Sequence, residues 1–291
     1  MSIKDRLFQP LNSATQQFDL PEVEQSLTVP RLIHHIFTVS KVLPPELHEN
    51  AEKIKSMNPG WTYAIYDDAD IRAFIENTYG RKILEYYERI DPRYGAARAD
   101  LFRYLLLYKC GGIYMDVKST CTQPFDQMLK PDDTYILSQW RNKPGEVHAG
   151  WGTKGVGHVP GGEYQQWHIV AAPGHPFLKA VIEAVLSNID QYRPWAHGTG
   201  GPGVLRLTGP IAYTLAIHPL LATSGYRLVS NETEIGLQYS IFKPASHKTL
   251  FKAHYSNLTE SIVKLKGAGK LVADLMSFAR KSKRSLFGVG S

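Results

Sequence analysis

The chain has 291 residues, 43% of them hydrophobic and 21% charged, which is enough to bury a large core and unlike a disordered chain. Its formal charge of +6 is unevenly placed: residues 261–291 hold seven Lys and Arg against Asp274 alone, so residues 1–260 sum to zero. That argues against a broad nucleic-acid footprint on the body, and two cysteines, Cys110 and Cys121, make neither a disulfide framework nor a zinc site. Two reduced thiols is the plainer reading, with a bridge across the turn between them as the alternative.

Residues 1–28 read as a loosely held N-terminal arm, polar and without the apolar stretch of a secretory signal. No run of 18 apolar residues exists, so no membrane-spanning helix is expected and the location implied is cytoplasmic. VPRLIHHIFTVS (29–40) is short, apolar and β-branched and predicts a buried first strand. His34 and His35 sit on opposite faces of such a strand, so packing roles are expected for both. Pro44–Pro45 opens a helix to about Met57, and Asn58-Pro59-Gly60 ends it. WTYAIYDD (61–68) predicts a second strand. Asp67–Asp68 then reads as a helix N-cap rather than a metal pair, with the helix broken at Gly80 and resumed over 81–90.

The most informative stretch is 96–126, AARADLFRYLLLYKCGGIYMDVKSTCTQPFD. Its helix is apolar or aromatic almost all round, as in a buried helix. Asp100 and Arg103 lie at i and i+3 on one face of it, so they must pair with each other or meet a ligand. After the double glycine, the strand period of two puts Ile113, Met115 and Val117 on one face and Tyr114, Asp116 and Lys118 on the other. An aromatic ring, a carboxylate and an ammonium lined up on one side can stack on a base or sugar, hold a hydroxyl or metal, and neutralise phosphate. Alternating strands and helices imply an α/β protein with a parallel or mixed sheet, whose ligands bind beyond the carboxyl ends of strands.

Further along, TYILSQW (134–140) and QQWHIVAA (165–172) predict strands around a Gly- and Pro-rich loop, 141–163. FLKAVIEAVLSNIDQY (177–192) predicts a helix. The glycines of 197–217 read as a loop shaping a sugar or phosphate site, or as turns, without a dinucleotide or P-loop spacing. Residues 226–244 predict closing strands. The basic tail, 259–291, can form an amphipathic helix over 259–284 with Leu271, Leu275 and Phe278 along one side. It suits an anionic membrane surface or a stripe packed on the body.

VPRLIHHIF, NPGWTYAIYDDADI, ARADLFRYLLLYKCGGIYMDV, AAPGHPFL and TGP occur in this order over residues 29–215. Together they resemble the sugar-binding, DXD-containing region of glycosyltransferase family 32, which includes yeast initiating α-1,6-mannosyltransferases. They are also similar to the catalytic domain of large clostridial glucosylating toxins. The resemblance implies a GT-A-type fold with a Rossmann-like mixed sheet flanked by helices, here over residues 29–258. It implies transfer of a sugar, with retention, from a UDP- or GDP-sugar to a glycan or lipid-linked glycan. Asp100, Arg103, Tyr114 and Asp116 would hold the donor, with the backbone at Ile36 and Phe37 facing the base. His254, or Ser256 beside it, would complete a site for Mn²⁺ or Mg²⁺ or for the diphosphate. Glu163 and His168 are candidates for the acceptor side.

One position departs from the pattern. The second acid of the D-x-D word, the main metal ligand of the family, is Lys118. An ammonium cannot ligate a hard cation. Either Lys118 itself neutralises the departing diphosphate, or Asp116, His254 and the diphosphate hold an ion weakly. The competing readings are a nucleotide-sugar-binding protein without turnover and a basic-tailed membrane- or nucleic-acid-associated module.

Overall fold

The structure is a computed structural model, which describes residue 11, residues 18–242, and residues 255–278 apart from 268, 274, 276 and 277. His254 and most of the basic run at the end of the tail lie outside the described residues.

The first strand, β1 (Leu32–Ile36), is followed by α1 (Pro45–Met57), β2 (Thr62–Tyr66), α2 (Asp68–Arg89), α3 (Gly95–Cys110) and β3 (Gly112–Met115). Pro45 in the first turn of α1, Glu46 beside it and Lys55 in the last turn suit the helix's free N–H groups and its dipole. Asp67 caps α2: its Oδ1 accepts from the N–H of Ala69 and Asp70, and the Asp70 carboxylate accepts from Asp67 N–H in return. The aspartate pair is thus a cap, as expected. α2 bends at Gly80 (φ 77°), where the sequence places its break.

The chain continues with β4 (Thr120–Cys121), α4 (Phe125–Met128), β5 (Tyr135–Ser138), β6 (His168–Ala171), α5 (Pro176–Gln191), α6 (Pro194–His197), α7 (Gly200–Leu207) and α8 (Pro210–Ile217). Two short strands close it, β7 (Arg227–Val229) and β8 (Leu237–Gln238). Among the described residues, six strands form one sheet in the order β2-β1-β3-β6-β5-β7. β2, β1 and β3 run parallel, β6 is antiparallel to both neighbours, and β7 is parallel to β5. β4 and β8 pair apart from it. This is the Rossmann-like mixed sheet flanked by helices that the sequence predicts.

The period-two alternation of the strands sorts the core into two faces. Tyr114, Tyr135, Leu137, Ile169 and Ala171 pack under α2, α3, α5 and α8. Ile33, Ile113, Met115, Ile136 and Val170 pack under α1 and α4. α3 is buried on every side from Asp100 to Tyr108, which is why its apolar residues show no stripe.

Gly111 (φ 63°) and Gly112 (φ 101°) join α3 to β3 without a loop. A Cβ on Gly111 would lie 2.5 Å from Pro173 Cδ, and one on Gly112 would lie 2.7 Å from the Leu32 carbonyl oxygen. Only glycine satisfies both the backbone angle and the space.

His34 and His35 are structural. His34 Nε2 bonds the Gly111 carbonyl at 3.0 Å, and His35 Nδ1 bonds the Tyr63 hydroxyl at 2.8 Å. Both cysteines are free thiols. One expectation needs correction. Residues 197–217 are not a glycine loop: α7 and α8 occupy most of that stretch. The described part of the stretch predicted to close the fold, 226–242, supplies the short strands β7 and β8, with a 3-10 turn at Glu232–Ile235 between them. In the tail, the described positions of 267–278 are helical, and Leu271, Leu275 and Phe278 are exposed.

Candidate active site

A cavity of about 970 Å³ opens at the carboxyl ends of β1 and β3. Ile36, Phe37 and Thr38 line it from the end of β1, and Tyr114, Asp116, Val117 and Lys118 from the end of β3. Asp100 and Arg103 reach it from α3, and Gly209, Pro210 and Ile211 from the turn into α8. The long loop 141–163 closes one side with Trp151, Lys154 and Glu163.

The floor is charged. Asp100 and Arg103 are only 3% and 5% exposed. Arg103 Nη2 lies 2.9 Å from Asp100 Oδ1, and its Nη1 lies 3.4 Å from Asp116 Oδ1 and donates to the Gln166 carbonyl at 2.7 Å. The guanidinium carbon stands 4.4 Å from the centre of the Tyr114 ring. Asp100 accepts from Thr208 Oγ1 at 2.8 Å and from Gln166 Nε2 at 3.2 Å. Asp116 Oδ1 accepts from the Tyr114 hydroxyl at 2.8 Å. Buried charges that each have several partners form a preorganised network.

The electrostatics follow. Burial pushes the Asp100 carboxyl up, against the pull of Arg103, Thr208 and Gln166. Burial opposes the charge of Arg103, but Tyr114, Asp100 and Asp116 outweigh it and its pKa is raised. The same balance holds at Lys118: burial works against its charge, while Asp116 and Tyr239 keep the ammonium protonated. Lys118 Nζ donates to the Tyr239 hydroxyl at 2.9 Å and stands 4.1 Å from that ring's centre.

The opposite wall is aromatic. Trp140 lies 5.3 Å from both Trp151 and Tyr239, centre to centre, and Trp167 lies 5.4 Å from Tyr239. Glu163 accepts from Trp140 Nε1 at 2.9 Å, and burial raises its pKa. Aromatic faces and a carboxylate are the usual furniture of a carbohydrate site, since ring C–H faces stack and hydroxyls hydrogen-bond.

Asp100, Arg103, Tyr114, Asp116, Lys118, Ile36, Phe37 and Glu163 line one cavity. His168 does not reach it. It is 1% exposed in β6, where its Nε2 bonds Ser138 Oγ at 3.0 Å behind Trp167. Sequence reasoning missed Gln166, Thr208, Tyr239 and the tryptophans. Of these, only the Trp residues within or beside the Gly-rich loop carried a signal.

The sugar-binding family described as "Glycosyltransferase sugar-binding region containing DXD motif" matches residues 44–135, which span α1 to the start of β5 and contain both halves of the charged floor. Over residues 44–135 the chain is similar to glycosyltransferase sugar-binding regions. Inositol phosphoceramide mannosyltransferase 3 of Schizosaccharomyces pombe is 32% identical over 106 residues, 36% of this chain and 28% of that protein. The initiation-specific alpha-1,6-mannosyltransferase of the same organism is 28% identical over 174 residues, 55% of this chain and 41% of that protein. The chain spans less than half the length of these curated relatives. Among solved structures, the PaToxG glycosyltransferase overlays 88% of this chain and 87% of its own at 15% identity and a TM-score of 0.48.

A DXD region implies a divalent metal, and among the described residues the groups at the D-x-K position do not fit one. The single carboxylate at the D-x-D position already accepts from Tyr114 and faces Arg103, and the second position is an ammonium. Mg²⁺ and Mn²⁺ ask for several oxygen ligands and a net negative cage.

Proposed function

We propose that this chain is a glycosyltransferase that moves a hexose from a nucleotide sugar to a glycan or glycolipid hydroxyl. The observation that carries this reading is the Asp100–Arg103–Asp116 network on the floor of a cavity large enough for a nucleotide sugar. The sugar-binding match covers these residues. The two relatives described above are named mannosyltransferases, which favours a mannosyl donor, UDP- or GDP-linked; one acts on an inositol phosphoceramide, which favours a lipid-linked acceptor.

In this reading Phe37 and the Ile36 backbone face the base. Arg103 and Lys118 face the diphosphate, and Asp100 and Asp116 take sugar hydroxyls. The anomeric carbon–oxygen bond breaks with its electron pair going to the β-phosphate. The acceptor oxygen bonds the anomeric carbon from the same face, and its proton passes to the departing phosphate oxygen. The protein's contribution is placement and charge stabilisation in a site shielded from water. The aromatic wall and Glu163 receive the acceptor. The tail, with Leu271 and Leu275 exposed beside Lys270, seats on an anionic membrane.

A thermal-shift screen of nucleotide sugars tests the donor reading, since a ligand bound to the folded state raises the midpoint by mass action. The expected result is a rise with one mannosyl nucleotide, followed by transfer to a lipid-linked acceptor with retained anomeric configuration by NMR. No shift with any nucleotide sugar would remove the proposal.

A further inference from the structure

The misfit between this site and a divalent cation has a specific cause. Lys118 stands where an acid would ligate the metal, and its ammonium is aimed. It bonds the Tyr239 hydroxyl at 2.9 Å, lies over that ring, and lines the same cavity as Arg103, Tyr114 and Asp116. Tyr239 itself is fixed against Trp140 and Trp167. A lysine free to swing into solvent would leave the cavity. This one is held over a ring whose hydroxyl also accepts its hydrogen bond.

The neighbours point the same way. Asp116 is the sole carboxylate of the D-x-K word, its Oδ1 is engaged by Tyr114, and Arg103 Nη1 stands 3.4 Å away. A divalent ion at Asp116 would sit between two cations, a guanidinium and an ammonium, each repelling it. A diphosphate in the same place would be attracted by both. The guanidinium spreads its charge over a planar fork, and the ammonium is a compact point charge suited to a terminal phosphate oxygen.

Resting on the donor-site reading above, we propose that Lys118 is the built-in counter-cation of the nucleoside diphosphate. With Arg103 it binds the diphosphate and stabilises it as leaving group, and the donor is held without a divalent metal. Tyr239 is a positioning residue that aims the ammonium.

The test uses the full chain and a panel of nucleoside diphosphates (UDP, GDP, ADP, CDP and dTDP), titrated calorimetrically in EDTA and again in Mn²⁺. Mn²⁺ electron paramagnetic resonance is recorded in parallel. The expected result is one diphosphate bound with the same Kd, within about threefold, in both buffers. Protein should withdraw no more Mn²⁺ signal than the nucleotide alone withdraws. Lys118→Ala should weaken that diphosphate at least tenfold while leaving the parent nucleoside unaffected. Lys118→Asp should bind it only with Mn²⁺ and remove the Mn²⁺ signal. Tyr239→Phe keeps the ring and loses the hydroxyl, so it should give a smaller loss than Lys118→Ala. Binding by the unaltered protein that disappears in EDTA and returns with Mn²⁺ would overturn the inference while leaving the donor site standing. Binding of no diphosphate in either buffer would remove the donor site, and this inference with it.

Discussion

At the scale of single residues, the site is a set of charges that hold one another in place. Arg103 is paired on two sides, and removing its buried partner, Asp100, leaves the buried cation short of a counter-charge. Such a loss costs about 3–5 kcal/mol where the pair is fully buried. Asp100→Ala is therefore expected to lower stability by an amount of this order in urea titrations, and a change under 1 kcal/mol would contradict the buried pairing. Asp116 is more exposed, with a side chain 25% accessible. Asp116→Asn should keep the midpoint of unfolding nearly unchanged and lower kcat/KM for sugar transfer about a hundredfold or more, the size of losing one charge aimed at the reacting centre. Glu163 lines the cavity beside Trp140, on the wall proposed to receive the acceptor. Glu163→Gln should raise acceptor KM and leave donor Kd unchanged. Because burial raises the Glu163 pKa, the acid limb of the pH–rate profile should lie above the range of an ordinary glutamate and vanish in this variant.

At the scale of elements, α3 and β3 were the most legible part of the chain. An apolar helix carrying two charges, a double glycine and an alternating strand permit few placements. The structure keeps the chemistry-bearing residues of this stretch on one cavity. Gly112→Ala should destabilise the fold on the order of 3 kcal/mol, because the backbone angle is left-handed and the new Cβ meets the Leu32 carbonyl. The helices α7 and α8 were not legible. Gly200, Gly201, Gly203, Pro202 and Gly209 oppose a helix by local propensity. Tertiary packing overrides it: Val204 and Leu207 are buried, and a Cβ on Gly203 would lie 2.7 Å from Ile262 Cδ1. Strands as short as β4 and β8 have no period to read. The partners of Asp100 escaped for another reason. Thr208 and Gln166 are far from it in sequence, and nothing in an isolated threonine or glutamine announces that distant contact.

At the scale of the whole molecule, several histidines sit neutral in the core. Burial lowers His34 and His35 to about 4 and His168 to about 3. In the unfolded chain these rings protonate near the ordinary value of about 6.5. Between that value and about 4 the unfolded state binds more protons, so folding stability rises with pH there. The stability is intact above about 6.5 and is lost as pH falls toward 4. Thermal melts should show Tm falling steeply between pH 6.5 and 4, and His34→Gln, which keeps a hydrogen-bonding side chain, should flatten that fall. A melting temperature independent of pH over this window would refute the neutral core.

The stretch after α8 has one more geometric property. Asp91 N–H bonds the Ile262 carbonyl at 2.8 Å, Lys264 N–H bonds the Arg89 carbonyl at 2.8 Å, and the Tyr94 hydroxyl donates to the Glu260 carbonyl. The Arg93 guanidinium lies 3.3 Å from Glu260, and Pro92 and Arg93 are on the rim of the cavity. The chain is thus clasped beside the mouth before its tail departs. A tether that starts at the rim fixes the opening next to whatever the tail grips. If that is a lipid surface, an acceptor diffusing in it meets the opening by a search in two dimensions. The tail then sets effective concentration without contributing one atom to the chemistry.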